Sequence, residues 1–233
     1  METRLENRRR TNATEATRDM VDRVQAEHRQ ALLAAEVQHR VQNTLAVVQS
    51  IAQMSFAGLG REVVAPFEQR LMALAGIHDL LVQTAWEAAD LRRVLERACD
   101  AFPVKGRIDI SGPAVGVTPT AAVVYGLAFH ELCANAVKHG AFSSGDGRLE
   151  VSWSLAEPDL SKFRLVWREY NGPLVTAPTR EGFGSRLLKR ALAMQLGASV
   201  IIRYPEDGLI CEFDGPVQRY PGPTIDLRLA ACG

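Results

Sequence analysis

Between about Ala31 and Phe56 apolar side chains recur with a helical period. Val37, Val41, Leu45, Val48 and Ala52 fall within an arc of about 80°, widened on one side by Leu33, Val47 and Ile51. The GLG at 58–60 interrupts this pattern, Pro66 follows soon after, and a second helix is expected from about Val63 to Gln83. Two helices joined by a short loop form an antiparallel hairpin. Such a hairpin has too little core alone, so pairing with a second copy into a four-helix bundle is the expected cover for its apolar face. After Trp86 the texture changes. ADLRRVLERACDAF (89–102) reads as a helix and RIDIS (107–111), by its alternation, as a strand. Thr118 can cap a helix with Pro119 in its first turn, running to about Lys138 and ended by Gly140. RLEVSWSL (148–155) and KFRLVWREY (162–170) alternate as strands, a helix follows GFGS at 182–185, and SVIIRY and GLICEFD form a last hairpin. The order predicts an α+β chain: a helical hairpin, then an α/β sandwich with helices over one face of a mixed sheet. The expected division is a helical extension or signal linker (1–30), the hairpin (31–88), the sandwich domain (89–216) and a tail (217–233) containing the strand-like TIDLRLA.

Composition narrows the function classes. Lys plus Arg and Asp plus Glu both number 27, so no net field draws the chain to nucleic acid or to an anionic membrane. Four cysteines lie far apart with no CxxC pair, which fits a reducing cytoplasm and argues against structural zinc. The charged start METRLENRRR has no apolar run behind it, and nowhere do about 18 apolar residues run together. A cytoplasmic protein without direct membrane insertion is therefore expected.

Two groups of residues could carry chemistry. His39 projects about 160° from the centre of the apolar arc, beside the lines of Gln42 and Asn43, so its ring should face solvent. A surface histidine needs no function, yet a neutral ring nitrogen is a competent nucleophile toward a phosphoryl group. In HELCANAVKHGAF (130–142), Glu131, Asn135 and Lys138 fall at i, i+4 and i+7 on one helical line, with His139 beside them. A carboxamide oxygen suits Mg²⁺ and an ammonium suits phosphate, although a solvated face shows the same pattern. His130 points about 100° away from that line, toward Val123, Ala134 and Val137, as a semi-buried histidine would. Trp167 and Glu169 share one side of a strand, where the tryptophan could pack in the core or wall a pocket.

EVQHRVQNTLAVVQSIA (36–52), QRLMALAGIHDLL (69–81) and WEAADL (86–91) resemble the dimerisation and phosphoacceptor region of the HWE family of sensor histidine kinases. HELCANAVKHGAF resembles the N-box of the GHKL, or Bergerat-type, ATP-binding fold, WREYNGP its first glycine box and EGFGSRLL its second. His130, Trp167 and Glu169 stand in the order that gives the family its name, and the resemblance covers roughly residues 30–215. It implies that His39 takes phosphate from ATP, that Asn135 holds Mg²⁺ and that Glu131 orients or polarises near the γ-phosphate. Lys138 and His139 would lie on the phosphate side. Glu169 stands where most relatives carry the adenine-binding aspartate, with Gly172 beneath the base. Gly182 and Gly184 would let backbone N–H groups approach the phosphates. One departure is visible, Gln42 in place of the usual lysine; Arg40, not the acid that many other histidine kinases carry, follows His39, so its proton acceptor is unidentified and Glu36 is only a candidate. His78 and Asp79 read as a polar edge of the hairpin. The implied function is an ATP-dependent protein histidine kinase, homodimeric through 31–88, that passes its phosphoryl group to an aspartate of a response-regulator receiver domain. The alternative is a non-catalytic dimeric adaptor or phosphotransfer protein that retains the fold. A serine kinase of the anti-sigma type is disfavoured, because it needs no phosphoacceptor hairpin.

Overall fold

The structure is a computed structural model that describes residues 20, 25, 29, 35, 36, 39–84, 86–156, 162–175 and 183–216. Most of the expected extension 1–30, the tail 217–233 and Gly182 lie outside the described residues. The chain divides into two compact units, Met1–Val47 and Val48–Gly233.

In the first unit every described residue is helical. The helix α1 comprises residues 39–55, of which 48–55 belong to the second unit. There Phe56 meets Phe67 edge-on at 5.8 Å, and the Gln53 amide donates to Glu68 at 3.4 Å, closing the turn onto α2, Arg61–Gln83. The second helix thus begins ahead of the expected Val63 and contains Pro66. This proline removes one hydrogen bond to the carbonyl four residues back, a loss the remaining turns tolerate. Ile51, Met54, Val63 and Met72 are exposed in the single chain.

The opposite face of α2, built from Gly76, Ile77, Leu80 and Leu81, is buried. It packs on α3 (Leu91–Cys99) and α4 (Pro119–Lys138). An added Cβ on Gly126 of α4 would stand 2.5 Å from Ile77 Cγ1, so only glycine permits this approach of α2 and α4. These contacts of α2 lie within the second unit, Val48–Gly233.

The helix α3 starts at Leu91, not at Ala89. Ala89–Asp90 (β1) pairs antiparallel with Gly116–Val117 (β3), and the Asp90 carboxylate accepts the Arg92 N–H at 2.9 Å as an N-cap. Thr118 caps α4 as expected, accepting from the Ala121 N–H at 3.4 Å, with Pro119 in the first position. By length and composition α4 is apolar enough to cross a bilayer, yet 67% of that stretch is buried inside the fold, as befits a core helix. The main sheet has the order β2-β4-β5-β7-β6, formed by Ile108–Ser111, Arg148–Ala156, Lys162–Tyr170, Ile210–Pro216 and Ser199–Arg203. β2 runs parallel to β4 and the other neighbours are antiparallel, so the sheet is mixed. Alternation in β4, β5 and β7 turns Leu149, Val151, Trp153, Phe163, Leu165, Trp167, Cys211 and Phe213 inward, where Phe129 of α4 stacks on Trp167. Because Glu169 continues this inward series, its carboxylate is carried into the core. The last helix, α5, is Phe183–Leu196.

Candidate active site

Glu131 and Asn135 lie one turn apart on α4, the first only 5% exposed and the second half-buried. The start of α5 is built against them. A Cβ on Gly184 would lie 2.6 Å from Glu131 Oε2 and 3.6 Å from Asn135 Nδ2, so a side chain there would collide with the carboxylate. Three of the residues chosen from sequence thus meet at one place. Lys138 and His139 are exposed at the C-terminal end of the same helix, where the His139 N–H donates to the Asn135 carbonyl at 2.8 Å.

Both oxygens of Glu131 are engaged by a residue that the sequence did not single out. Arg70 of α2 donates through Nε to Oε1 at 2.5 Å and through Nη2 to Oε2 at 3.0 Å, a bidentate pair. Removing the guanidinium would leave a buried carboxylate without its counter-charge. For a fully buried pair that costs roughly 3–5 kcal/mol. The Arg70 side chain is 27% exposed, so Arg70→Ala should lower unfolding stability by about 2 kcal/mol in chemical denaturation. Glu131→Gln in the same background should restore part of that loss.

A second cluster forms where α4 ends. The Gly140 N–H donates to the carbonyls of Asn135 and Ala136 at 3.1 Å each, and the chain passes into a 3-10 turn, Ala141–Ser143. Glu169 reaches this turn from β5. Its Oε2 accepts the Ala141 N–H at 2.9 Å and its Oε1 accepts the Trp167 indole N–H at 3.1 Å. At 3% exposure the carboxyl is pushed above the usual carboxylate range by burial, with the two donors acting in the opposite direction. Gly172 closes over the turn, since a Cβ there would lie 2.8 Å from Ala141 Cα. Trp167 is completely buried. It therefore walls no open pocket, and its polar edge fixes Glu169 instead.

His130, the other family-naming residue, sits on the far side of α4 at 2% exposure, its ring 5.1 Å from that of Phe102. One ring nitrogen bonds the Ala98 backbone and Nδ1 has no partner. Burial lowers its pKa, against the raising effects of Glu131 and the Ala98 bond. The histidine must therefore charge on unfolding below its ordinary value of 6.5, so this contribution to stability is present at higher pH and is lost as pH falls through that value. Denaturation midpoints should drop between pH 7.5 and 5.5, and His130→Phe should flatten part of that slope.

In the first unit His39 is exposed, as the helical phase predicts. Its Nδ1 lies 3.3 Å from the Asn43 amide. If that amide presents its oxygen, it accepts Nδ1–H and leaves the lone pair on Nε2. Glu36 is paired with Arg40, its Oε1 accepting from Nη2 at 2.8 Å and from Nε at 3.2 Å. The pairing follows from i,i+4 spacing on one helix.

The donors suit a nucleotide with its cation. Among the described residues no group of three or more His, Cys, Asp and Glu side chains converges, so no all-protein metal cage is built there. One carboxamide beside a carboxylate matches Mg²⁺, which shares its coordination with phosphate oxygens and water. A cavity of about 150 Å³ between α3 and β2, lined in part by Leu95, Cys99 and Ile108, touches none of these residues.

The mixed sheet with its helices, Gly172 over the turn after α4 and Gly184 at the start of α5 make the fold of a GHKL-type histidine kinase catalytic domain. The histidine kinase domain of the blue-light activated histidine kinase of Erythrobacter litoralis has the same fold, with a TM-score of 0.55 at 23% identity over 81% of this chain and 92% of that one. Residues 36–114 match the profile of the family HWE histidine kinase. Blue-light-activated histidine kinases of Brucella ovis and Brucella anthropi are 35% and 36% identical to this chain over 211 and 213 residues, 88% and 89% of its length. The chain thus carries an HWE histidine kinase region at residues 36–114 and is similar to histidine kinases along most of its length. It spans 43% of the length of these curated relatives.

Proposed function

We propose that the chain is the transmitter region of an ATP-dependent protein histidine kinase that autophosphorylates on His39 and passes the phosphoryl group to an aspartate of a response-regulator receiver domain. The observation that carries this reading is the meeting of Glu131, Asn135 and Gly184 at the start of α5, on a chain that also presents an exposed imidazole. In the proposed reaction His39 Nε2 attacks the γ-phosphorus of ATP, an N–P bond forms, the bond from the γ-phosphorus to the bridging oxygen breaks, and ADP leaves. The ring, now bonded to phosphorus at Nε2, then loses its remaining Nδ1 proton to solvent or to a carboxylate. Asn135 would hold Mg²⁺ through its side-chain oxygen, and the ion would neutralise charge on the triphosphate. Glu131 would orient the γ-phosphoryl group. Glu169 and Gly172 would receive the adenine, and Gly182 and Gly184 the phosphates. Lys138 and His139 would contribute charge from the end of α4, while Trp167 acts through Glu169. The reading takes the protein to be cytoplasmic and a homodimer through residues 31–88, where the exposed Ile51, Met54, Val63 and Met72 would find cover.

One observation favours the adaptor reading: both oxygens of Glu131 are occupied by Arg70. A single experiment separates the two. With γ-labelled ATP and Mg²⁺ a kinase acquires acid-labile label that chases onto a receiver domain, whereas an adaptor acquires none and binds ATP with no dependence on Asn135.

A further inference from the structure

We propose that Arg107 is a positioning residue for adenine recognition, acting through Ala141 on Glu169. The inference rests on the reading that Glu169 receives the adenine. Arg107 stands at the entrance to β2, far in sequence from both glycine boxes. Its guanidinium donates to three carbonyls of the segment that follows α4: Nε to Gly147 at 2.9 Å, and Nη2 to Ala141 at 3.3 Å and Ser144 at 2.5 Å. It also lies 5.0 Å from the centre of the Phe142 ring. The planar fork thus ties residues 141–147 into a closed loop, which a lysine, with a single cationic nitrogen, cannot reproduce. The closure is tight: a Cβ on Gly147 would lie 1.6 Å from the Ala141 oxygen.

This loop supplies what Glu169 needs. The Ala141 N–H holds Oε2, and the Ser144 hydroxyl donates to the Asn171 carbonyl at 3.0 Å, which fixes the turn carrying Gly172. Glu169 is one methylene longer than the aspartate usual at its position, so its carboxylate has an additional torsion to be fixed. Trp167 holds one oxygen from within the strand, and the loop that Arg107 organises holds the other. A carboxylate held in this way offers remaining lone pairs to the exocyclic amino group of adenine and repels the carbonyl oxygen that guanine presents there.

The test uses the whole chain and compares equilibrium binding of ATP, GTP and inorganic tripolyphosphate to wild type, Arg107→Ala, Arg107→Lys, Glu169→Ala and the Arg107→Ala/Glu169→Ala double variant. Arg107→Ala should weaken ATP about tenfold, in line with loss of one buried polar contact, and shrink the ATP over GTP preference. Tripolyphosphate affinity should not change. Arg107→Lys should fall between, and keeps the test decisive if the alanine variant does not fold. The double variant should show no loss of preference beyond that of Glu169→Ala. An unchanged ATP over GTP preference in both Arg107 variants, or a parallel weakening of all three ligands, overturns the role of Arg107 alone. A preference that survives Glu169→Ala overturns the reading of Glu169 and the present inference with it.

Discussion

Asn135→Ala should reduce autophosphorylation by at least about 100-fold while leaving the fold intact, because phosphoryl transfer draws its rate from positioning and charge neutralisation rather than from covalent help. Asn135 is half-buried beside a buried carboxylate, and the glycine that begins α5 packs against its amide. Its main-chain role is separate, since the carbonyl that accepts from His139 and Gly140 survives truncation of the side chain. The loss should therefore appear in catalysis and in Mg²⁺-dependent nucleotide affinity, with the unfolding midpoint shifted only slightly. Single-turnover labelling with a Mg²⁺ titration checks this. A variant that keeps half of the wild-type rate at saturating Mg²⁺ would remove Asn135 from the site.

Gly140→Ala should be as damaging by a different route. An added methyl carbon would stand 2.0 Å from Glu169 Oε2 and 2.9 Å from Ala136 Cα. The first neighbour is the end of a side chain, but one that is almost fully buried and bound on both oxygens, so it cannot swing aside without losing a hydrogen bond. The second is helix backbone. Relief therefore requires the carboxylate to leave the Ala141 N–H or the end of α4 to move. Either change should cost roughly 2–4 kcal/mol of stability, as overpacking and a lost buried hydrogen bond together do. ATP affinity should fall more than about tenfold, since Glu169 would no longer be held in place. Calorimetry of unfolding and of ATP binding measures both.

How legible this arrangement is in the sequence depends on the range of the interactions. Local signals are clear. The Thr118–Pro119 cap, the alternation of β4 and β5 and the outward phase of His39 all follow from periodicity and capping within a few residues, and the structure has each of them. Boundaries set by distant partners are less clear: α3 starts two residues late because Ala89 and Asp90 pair with Gly116 and Val117. The residues that hold the site were the least visible. Arg70 meets Glu131 across 61 positions, and Arg107 meets Gly147 across 40, so no local pattern marks either arginine. Gly140 has a local signal, but one that reads only as a helix stop. Its closeness to Glu169 depends on where β5 is placed by the sheet. Trp167 shows the same limit, because alternation fixes its side of the strand but not how deeply that side is covered.

Transfer of the terminal phosphoryl group of a bound nucleotide to one imidazole is tested most directly by mapping the modified residue. After incubation with ATP and Mg²⁺ and digestion at neutral to alkaline pH, mass spectrometry should find a single phosphohistidine, at position 39, absent from His39→Ala and from protein incubated without Mg²⁺. Phosphate on any other residue in wild type, or an undiminished yield in His39→Ala, would contradict it.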